Sequence, residues 1–450
     1  MTEILALLQH ISPLLEKTTF RQMSQVIFGM LVISGRITML GISRWTEKGG
    51  SYRTIQRLYY KVLPWGAIHW LFFRMRFLRI EHEYIGAADE VVVRKAGEET
   101  HGKGHFFSGI QQQVISGIAV FLFSVVDTEE EQSYPIQANQ IVKSAEEKAA
   151  SKAKAAAKKV KKMGEKRKRG RPKGSRNKDK QEVVLSPELL RVQKDLQTFL
   201  GTVGSILPIK YIAMDGHFGN YPAAYMVRKE DRHLISKMRH DAALYPAFEG
   251  EHSGPGRKPI YGKKIDVYQM DPKYLKETTV KDNWRIDIYQ GQFYNKEFAF
   301  ALNVVIILKT NLVTNAQAHA ILFSTDLDQE YDKIVKFYKL RFQIEFNFRD
   351  AKQYWGLEDF MNVTETAVTN AINFSFFMVN FSGALAQPFR QQNPDFSMLD
   401  LKSHYRGYRY AIETLKMLPQ KPDAILLADI FQQLTRLGAI HPAFQPADSL

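Results

Sequence analysis

The 450-residue sequence contains no cysteine. That excludes a disulfide scaffold, a Cys-held zinc, a thiolate-bound iron–sulfur cluster and a cysteine nucleophile. It also lacks the marks of an export signal. The segment MTEILALLQHISPLLEK carries Glu3 and Glu16, without a basic start or a small-residue cleavage site, so no signal peptide is expected. A clean membrane-length apolar run is missing too. The charge-free stretch from Ala367 to Pro388 is punctuated by Asn370, Asn373 and Asn380, which suits a buried core helix better than a membrane span. Net charge is scarce outside one segment. Lys143 to Glu182 holds 17 Lys+Arg against 5 Asp+Glu, a surplus of +12, and the other 410 residues supply only +3 of the total +15.

A nearly neutral body with one concentrated basic segment points to a polyanion partner, nucleic acid first and an anionic membrane surface second. The 45% hydrophobic and 24% charged fractions are ordinary globular values and exclude disorder over the whole chain. The length allows about three structural units.

Residues 1 to 80 show helical spacing, as in Ile4, Leu7, Leu8 and Ile11. Within Ile37 to Leu63, the turn TEKGGS precedes a helix with Ser51 as its N-cap and Arg53, Gln56 and Arg57 on it. This is a helix-turn-helix-like pattern, or equally a plain helical hairpin with a solvated basic face. After Arg79 the period becomes two. Strands are predicted over Tyr84 to Val93, Gly109 to Asp127 and Ser133 to Ile136. The Ala- and Lys-rich stretch that follows has almost no large apolar residue, so a solvated helix or disorder is expected. A helix capped by Ser186, a strand over Pro208 to Asp215, a helix over Tyr221 to Val227 and a strand over His233 to Met238 then imply a mixed sheet with helices on its faces. Three β stretches follow, IYGKKIDVYQM, WRIDIYQGQF and EFAFALNVVIIL, then a final strand over Ile321 to Thr325. One long helix is predicted from near Asp328 to about Tyr354, and the last 60 residues read as helical.

That long helix carries the strongest local pattern. Tyr338, Arg341, Glu345 and Lys352 follow at steps of 3, 4 and 7, which puts them on one stripe roughly 60° wide. Leu340, Phe342, Ile344, Phe346 and Phe348 fall elsewhere, so that side is expected to be buried. A surface face of ion pairs would give the same spacing. Two more carboxylates stand out. Asp89 lies between IGAA and VVV, and Asp215 leaves the strand YIAM for the glycines of GHFGN. Such positions point at the crevice where open α/β sheets bind ligands. Each alone also suits a turn or cap. Two strand carboxylates and one helix carboxylate can hold a pair of divalent cations, Mg²⁺ with Mn²⁺ as substitute, for phosphodiester chemistry. Glu90 and Asp350 are acidic neighbours that rank below them.

These residues resemble the Y-x2-R-x3-E-x6-K signature of DDE transposases from bacterial insertion sequences, in the insertion-sequence 4 superfamily. GISRWTEKGGSYRTIQR, ADEVVVRKAGEETHGKGH, YIAMDGHFGN, MRHDAALY and GRKPIYGKK resemble further family segments in the expected order. The resemblance implies an α/β fold with a ribonuclease H-like catalytic core, an inserted β-rich subdomain and helical N-terminal and C-terminal parts. It implies catalytic metal ligands Asp89, Asp215 and Glu345, with Tyr338, Arg341 and Lys352 holding the transposon-end DNA. It further implies a homodimer on paired ends, acting on terminal inverted repeats and target DNA in the cytoplasm at the nucleoid. In the family a Trp of the β insertion can stack on a flipped base; Trp284 is the only Trp between Asp215 and Glu345, and a core strand Trp is the other reading.

The basic segment departs from the family pattern. Its Arg169-Gly170-Arg171-Pro172, followed by Lys173, resembles an AT-hook that would lie in an A·T minor groove; the alternative is a polybasic linker. The expected division is a helical DNA-binding part over 1–80, core pieces over 81–142, 184–240 and 326–390, the basic insertion over 143–183, the β-rich insertion over 241–325 and a helical tail over 391–450. Competing functions are a nuclease of the same fold without strand transfer and a domesticated AT-hook DNA-binding protein.

Overall fold

The computed structural model describes residues 2–46, 49–109, 111–149, 153, 183–251, 256–420 and 422–443. The segment around Arg169 to Lys173 lies outside them.

The first 80 residues form five helices: α1 (Thr2–Gln9), α2 (Lys17–Val32), α3 (Met39–Ser43), α4 (Tyr52–Tyr59) and α5 (Trp65–Arg76). Ser51 caps α4 by accepting from the Thr54 amide, as its position before the helix predicts. Strands β1 (Tyr84–Arg94), β2 (Gly104–Ser108), β3 (Gln113–Asp127) and β4 (Gln132–Ile141) follow. Then come α6 (Pro187–Val203), β5 (Tyr211–Met214), α7 (Tyr221–Lys229), β6 (His233–Lys237) and the short β7 (Leu244–Tyr245). A meander of β8 (Leu275–Lys281), β9 (Trp284–Asn295), β10 (Leu302–Asn311) and β11 (Gln317–Ser324) leads to helices α8 (Tyr331–Leu340), α9 (Gln343–Gln353), α10 (Glu365–Gln392), α11 (Met398–Met417) and α12 (Ala424–Arg436). The result is mixed α/β.

All eleven strands join one sheet. β3 pairs with β4 and β2 on one side and antiparallel with β1 on the other, and the order continues β1, β5, β6, β11, β10, β9, with β8 and β7 on β9. β1, β5 and β6 are mutually parallel. The β-rich stretch is therefore an extension of the same sheet, joined where Leu322 of β11 pairs with Lys237 of β6.

α10 is the internal strut. Asn370, Asn373 and Asn380 are buried and each meets a backbone group: Asn370 donates to the Tyr59 carbonyl at 2.7 Å, Asn373 to Ala138 at 3.2 Å and Asn380 to Pro135 at 2.8 Å. Asn370 also accepts from the Trp65 indole at 2.7 Å. The polar punctuation thus satisfies the end of α4 and the open edge of β4, which would otherwise be orphaned in the core. None of the described helices is long and apolar enough to cross a membrane.

Two expectations fail, and one strand carries no mark in the sequence. The predicted strand over Ile260 to Met270 is irregular, with one isolated bridge, Ala247 to Tyr261. There the Asp266 carboxylate takes the Tyr268 amide at 3.0 Å, a local turn bond that competes with strand pairing. The strand β8 has no apolar alternation to mark it, since every residue in LKETTVK is exposed. The long helix from 328 to 354 is two helices, separated at Arg341 and Phe342. Here the amides of Phe342, Ile344 and Glu345 reach back three residues instead of four, to Lys339, Arg341 and Phe342. This tightens the turn without needing Gly or Pro.

Candidate active site

The register of β1 against β5 sets the site. Ala88 pairs with Met214, so the next residues lie side by side, about 5 Å apart at the backbone, Asp89 within β1 and Asp215 just past the end of β5. Asp89 uses one oxygen to accept the Glu90 amide at 2.8 Å and the other to accept Arg341 Nη1 at 2.6 Å. Burial pushes its carboxyl up to about 6; Arg341 opposes this, and the negative charges of Asp215 and Glu345 reinforce it. Asp215 caps a single 3₁₀ turn, accepting the His217 amide at 3.1 Å, while its carbonyl accepts the Ser236 hydroxyl at 2.7 Å. The turn closes against β6 only because residue 219 is glycine: a Cβ there would collide with the Lys237 carbonyl.

Glu345 comes from the first turn of α9, 3.8 Å from Arg341 Nη2. Burial raises its carboxyl, with Arg341 opposing and Asp215 adding to the rise. Asp89, Asp215 and Glu345 face one open cleft of about 1370 Å³. The chemistry is that of hard oxygen donors with more negative charge than the protein neutralises. Arg341, 11% exposed, is the cation bonded to Asp89 and Glu345, and its Nε is buried without a partner.

The other signature residues behave differently from the stripe expectation. Tyr338 sits on α8 with its ring 5.7 Å from the Arg341 guanidinium. Lys352 lines the cleft, but its ammonium is held by the Val92 carbonyl at 3.0 Å and lies 3.6 Å from Glu358. The expectation that Phe342 and Phe346 are buried is wrong. They are 48% and 39% exposed and line the cleft, whereas Ile344 and Phe348 are buried. Tertiary packing on the far side of α9 takes only part of the apolar face.

The cleft contains groups that the sequence reading ranked low or missed. Glu90 lines it, and burial raises its carboxyl. His217 and Glu188 form a pair at 2.9 Å across it, each holding the other charged: the Glu188 bond raises His217 and lowers Glu188. The signal for His217 was its place in the glycine turn directly after Asp215. Asp350 lies elsewhere, in a smaller cavity beside Arg349. Lys143 and Arg191 also line the cleft. Lys143 donates to the His105 carbonyl at 3.0 Å, and Arg191 pairs with Glu147 at 2.7 Å. The described flanks of the basic segment therefore both open onto the site.

Arg53 and Arg57 are exposed on α4 and do not line the cleft. Trp284, half-buried, pairs with Asn311 and Lys281 at the far tip of the meander. From the register Leu322 to Lys237 that tip stands about 20 Å beyond the carboxylates along the strands. It does not line the cleft either.

A second acidic group lies at the Tyr84 end of β1. His82, Asp127 and Glu129 bring ligand atoms within 4.8 Å of one another, closer than the open trio in the cleft.

Among known proteins, a cryo-EM structure of a piggyBac transposase synaptic complex with hairpin DNA aligns at a TM-score of 0.37 and 11% identity, over 96% of this chain and 82% of that one. No curated protein matches the chain. The family model for DDE superfamily endonucleases matches residues 7–292, a span that contains Asp89 and Asp215 and ends before Glu345. Two strand carboxylates set side by side at the lip of a cleft lie inside that match, which takes in well over half of the sequence, and the chain belongs to the DDE superfamily endonucleases.

Proposed function

We propose that the chain is a transposase of the insertion-sequence 4 superfamily, cutting DNA at an element's ends and joining those ends to a target. The observation that carries this reading is the surplus of negative charge where Asp89, Asp215 and Glu345 face one cleft and Arg341 alone is bonded against them. These oxygens suit two Mg²⁺ ions, or Mn²⁺ in their place. Such an ion pair, when bound, activates a water or 3′-hydroxyl and stabilises the leaving oxygen at a phosphodiester.

The chain's own residues do the rest. Arg341 keeps Asp89 aimed and opposes its protonation. Lys352, with Tyr338 and Arg341, holds the end phosphates: Lys352 exchanges the Val92 carbonyl for a phosphate oxygen, while Arg341 keeps Nη1 on Asp89 and offers Nη2. Lys143 and Arg191 extend this positive rim toward the +12 segment, whose Arg169, Arg171 and Lys173 add minor-groove or phosphate contacts. Trp284 at the meander tip and Arg53 and Arg57 on α4 serve contacts farther along the DNA.

The strand order β4, β3, β1, β5, β6, three antiparallel strands and then two parallel to β1, supports a ribonuclease H-like core built from 81–142, 184–240 and 326–390. Residues 241–325 extend its sheet, and 1–80 and 391–450 are its helical flanks. Two copies on paired ends supply one site per end, in the cytoplasm at the nucleoid.

The test uses DNA carrying the element's terminal repeats. Asp89→Ala, Asp215→Ala and Glu345→Ala should each lower Mg²⁺-dependent cleavage at least 1000-fold while end binding stays within a few fold. Unchanged cleavage in any of the three overturns the ligand set. Cleavage without joining reduces the reading to a nuclease.

A further inference from the structure

The chain that follows α9 is gripped by two buried ammonium groups that the chemistry above does not use. Lys95, the first residue past β1, is 6% exposed. Its ammonium donates to the carbonyls of Leu357, Glu358 and Phe360 at 3.4, 3.0 and 3.0 Å and lies 3.4 Å from the centre of the Phe360 ring. Lys402 of α11, also buried, donates to the Tyr354 carbonyl at 3.2 Å and the Met30 carbonyl at 3.1 Å. A charge buried against carbonyls is costly, and burial pulls both ammonium groups down to about 8. At Lys95 the charges of Asp359 and Glu358 oppose that fall and Arg36 adds to it.

The place where Lys95 holds the chain is informative. β1 meets the segment 341–360 through three cations: Arg341 on Asp89, Lys352 on the Val92 carbonyl, and Lys95 on the carbonyls of 357–360. Their positions along the strand are 89, 92 and 95, about 10 Å apart. Lys352 lines the cleft, and its bond to Val92 is the one given up to a phosphate. Lys95 does not line the cleft, so DNA there cannot draw it away. The gripped segment is continuous with α9, because the Leu357 amide donates to the Ala351 carbonyl at 3.0 Å. It also has little room to slide: Gly356 has φ +78°, and a Cβ there would collide with Ile37.

We propose that Lys95 is a positioning residue for the carboxylate site, a cation tethered to β1 that keeps α9 seated on that strand when Lys352 leaves Val92 for a DNA phosphate, so that Glu345 stays beside Asp89. This rests on the reading of Asp89, Asp215 and Glu345 as cation ligands and deepens it. Lys402 grips the same segment from α11 and not from the strand of Asp89, so it serves the fold alone.

The experiment compares the full natural chain with Lys95→Met and Lys402→Met, each of which removes one buried ammonium and keeps a side chain of similar length. Mn²⁺ affinity is read from the spin-resonance signal of the free ion, and the seating of α9 from hydrogen exchange; neither needs turnover. Lys95→Met should weaken Mn²⁺ binding about tenfold and speed amide exchange over 343–353 about tenfold. It should lower kcat for end cleavage while KM for DNA holds. Lys402→Met should unfold at lower urea yet keep Mn²⁺ affinity and kcat. In Lys95→Ala, n-propylammonium replaces the missing atoms and should restore Mn²⁺ affinity; tetramethylammonium at the same ionic strength should not. Equal Mn²⁺ affinity in the natural chain and Lys95→Met overturns the proposal. So do equal losses in the two Met variants, unchanged exchange in α9, or an amine that restores nothing. Should Lys95→Met not fold, Lys95→Ala folded with n-propylammonium and then dialysed free of it gives the same readings. A chain that folds in neither form makes Lys95 a residue of the fold alone and overturns the positioning role. A natural chain that binds Mn²⁺ no better than Asp89→Ala sinks the ligand reading and the positioning role with it, whereas Mn²⁺ binding that needs Asp89 but not Lys95 sinks the positioning role alone.

Discussion

The start and the middle of β1 each gather acidic side chains, and they differ in what the protein gives them. At the Tyr84 end, Asp127 meets His82 at 2.8 Å and accepts the amides of Glu129 and Glu130 at 2.9 and 3.0 Å. Burial alone would raise Asp127, but these bonds outweigh it and hold the carboxyl below its usual range. Glu129 in turn accepts the Glu83 amide and the Thr128 hydroxyl. At Asp89, midway along the strand, the carboxyl is pushed up to about 6, and two further carboxylates make it worse. The tighter cluster is thus the satisfied one. Closeness of carboxylates describes geometry; an unneutralised charge describes a demand for a cation.

The strongest way to break this comparison is to add the cation. Millimolar Mg²⁺ or Mn²⁺ at 100 times its dissociation constant should stabilise the natural chain by about 2.7 kcal/mol in a thermal or urea melt. Asp89→Ala and Glu345→Ala should lose that gain, and His82→Ala should keep it. The reverse pattern would move the cation to the Asp127 end.

A second perturbation acts on the satisfied end. Asp127→Asn should cost about 2 kcal/mol in urea unfolding, because a buried, charge-assisted set of bonds is weakened. Cleavage per folded molecule should not change. A neutral effect on stability would mean that the bonds around Asp127 do little.

The smallest effect is in pH. His82 is raised, first by its bond to Asp127, so its contribution is complete below about 6.5 and fades as pH rises through its folded value. Asp127 is lowered, so its contribution holds above about 3.9 and is lost as pH falls through its folded value. His82→Ala should therefore destabilise more at pH 5.5 than at pH 9. Asp89 is shifted in the direction of His82 and against that of Asp127. Its raised carboxyl favours protonation in the folded state, so the cation-free protein should gain stability as pH falls from 7.5 toward 5.5. Urea melts across that range check both, and Asp89→Asn should flatten the gain.

What the sequence made legible follows from how local each signal was. Asp89 and Asp215 could be found because each sits at a sharp change of composition, apolar strand to acid. The four-residue stripe set Glu345 and Lys352 on one face, and both line the cleft, but it assumed an unbroken helix. A two-residue tightening at Arg341 and Phe342 leaves no mark of Gly or Pro to warn of it. Phe342 and Phe346 were misjudged because apolar spacing says which residues share a face and not whether anything packs on that face. The bond from Arg341 to Asp89 joins residues 252 apart, and that from His82 to Asp127 joins residues 45 apart. Only the paired register of β1 and β3, with Tyr84 opposite Asp127, reveals the second.

Those long separations have a consequence for how the protein is born. Asp89 waits for Arg341, Lys95 is held by the carbonyls of Glu358 and Phe360, and Lys402 of α11 donates to the Met30 carbonyl, 372 residues earlier. At roughly 5–20 residues per second, a ribosome takes on the order of 10–50 s to pass from the first carboxylate to the helix that brings the third. During that interval the nascent chain carries two carboxylates without their partner. If Glu345 is the third ligand, as proposed, the site completes itself only in the last third of the chain, and a chain truncated before Glu345 should show no cleavage of DNA.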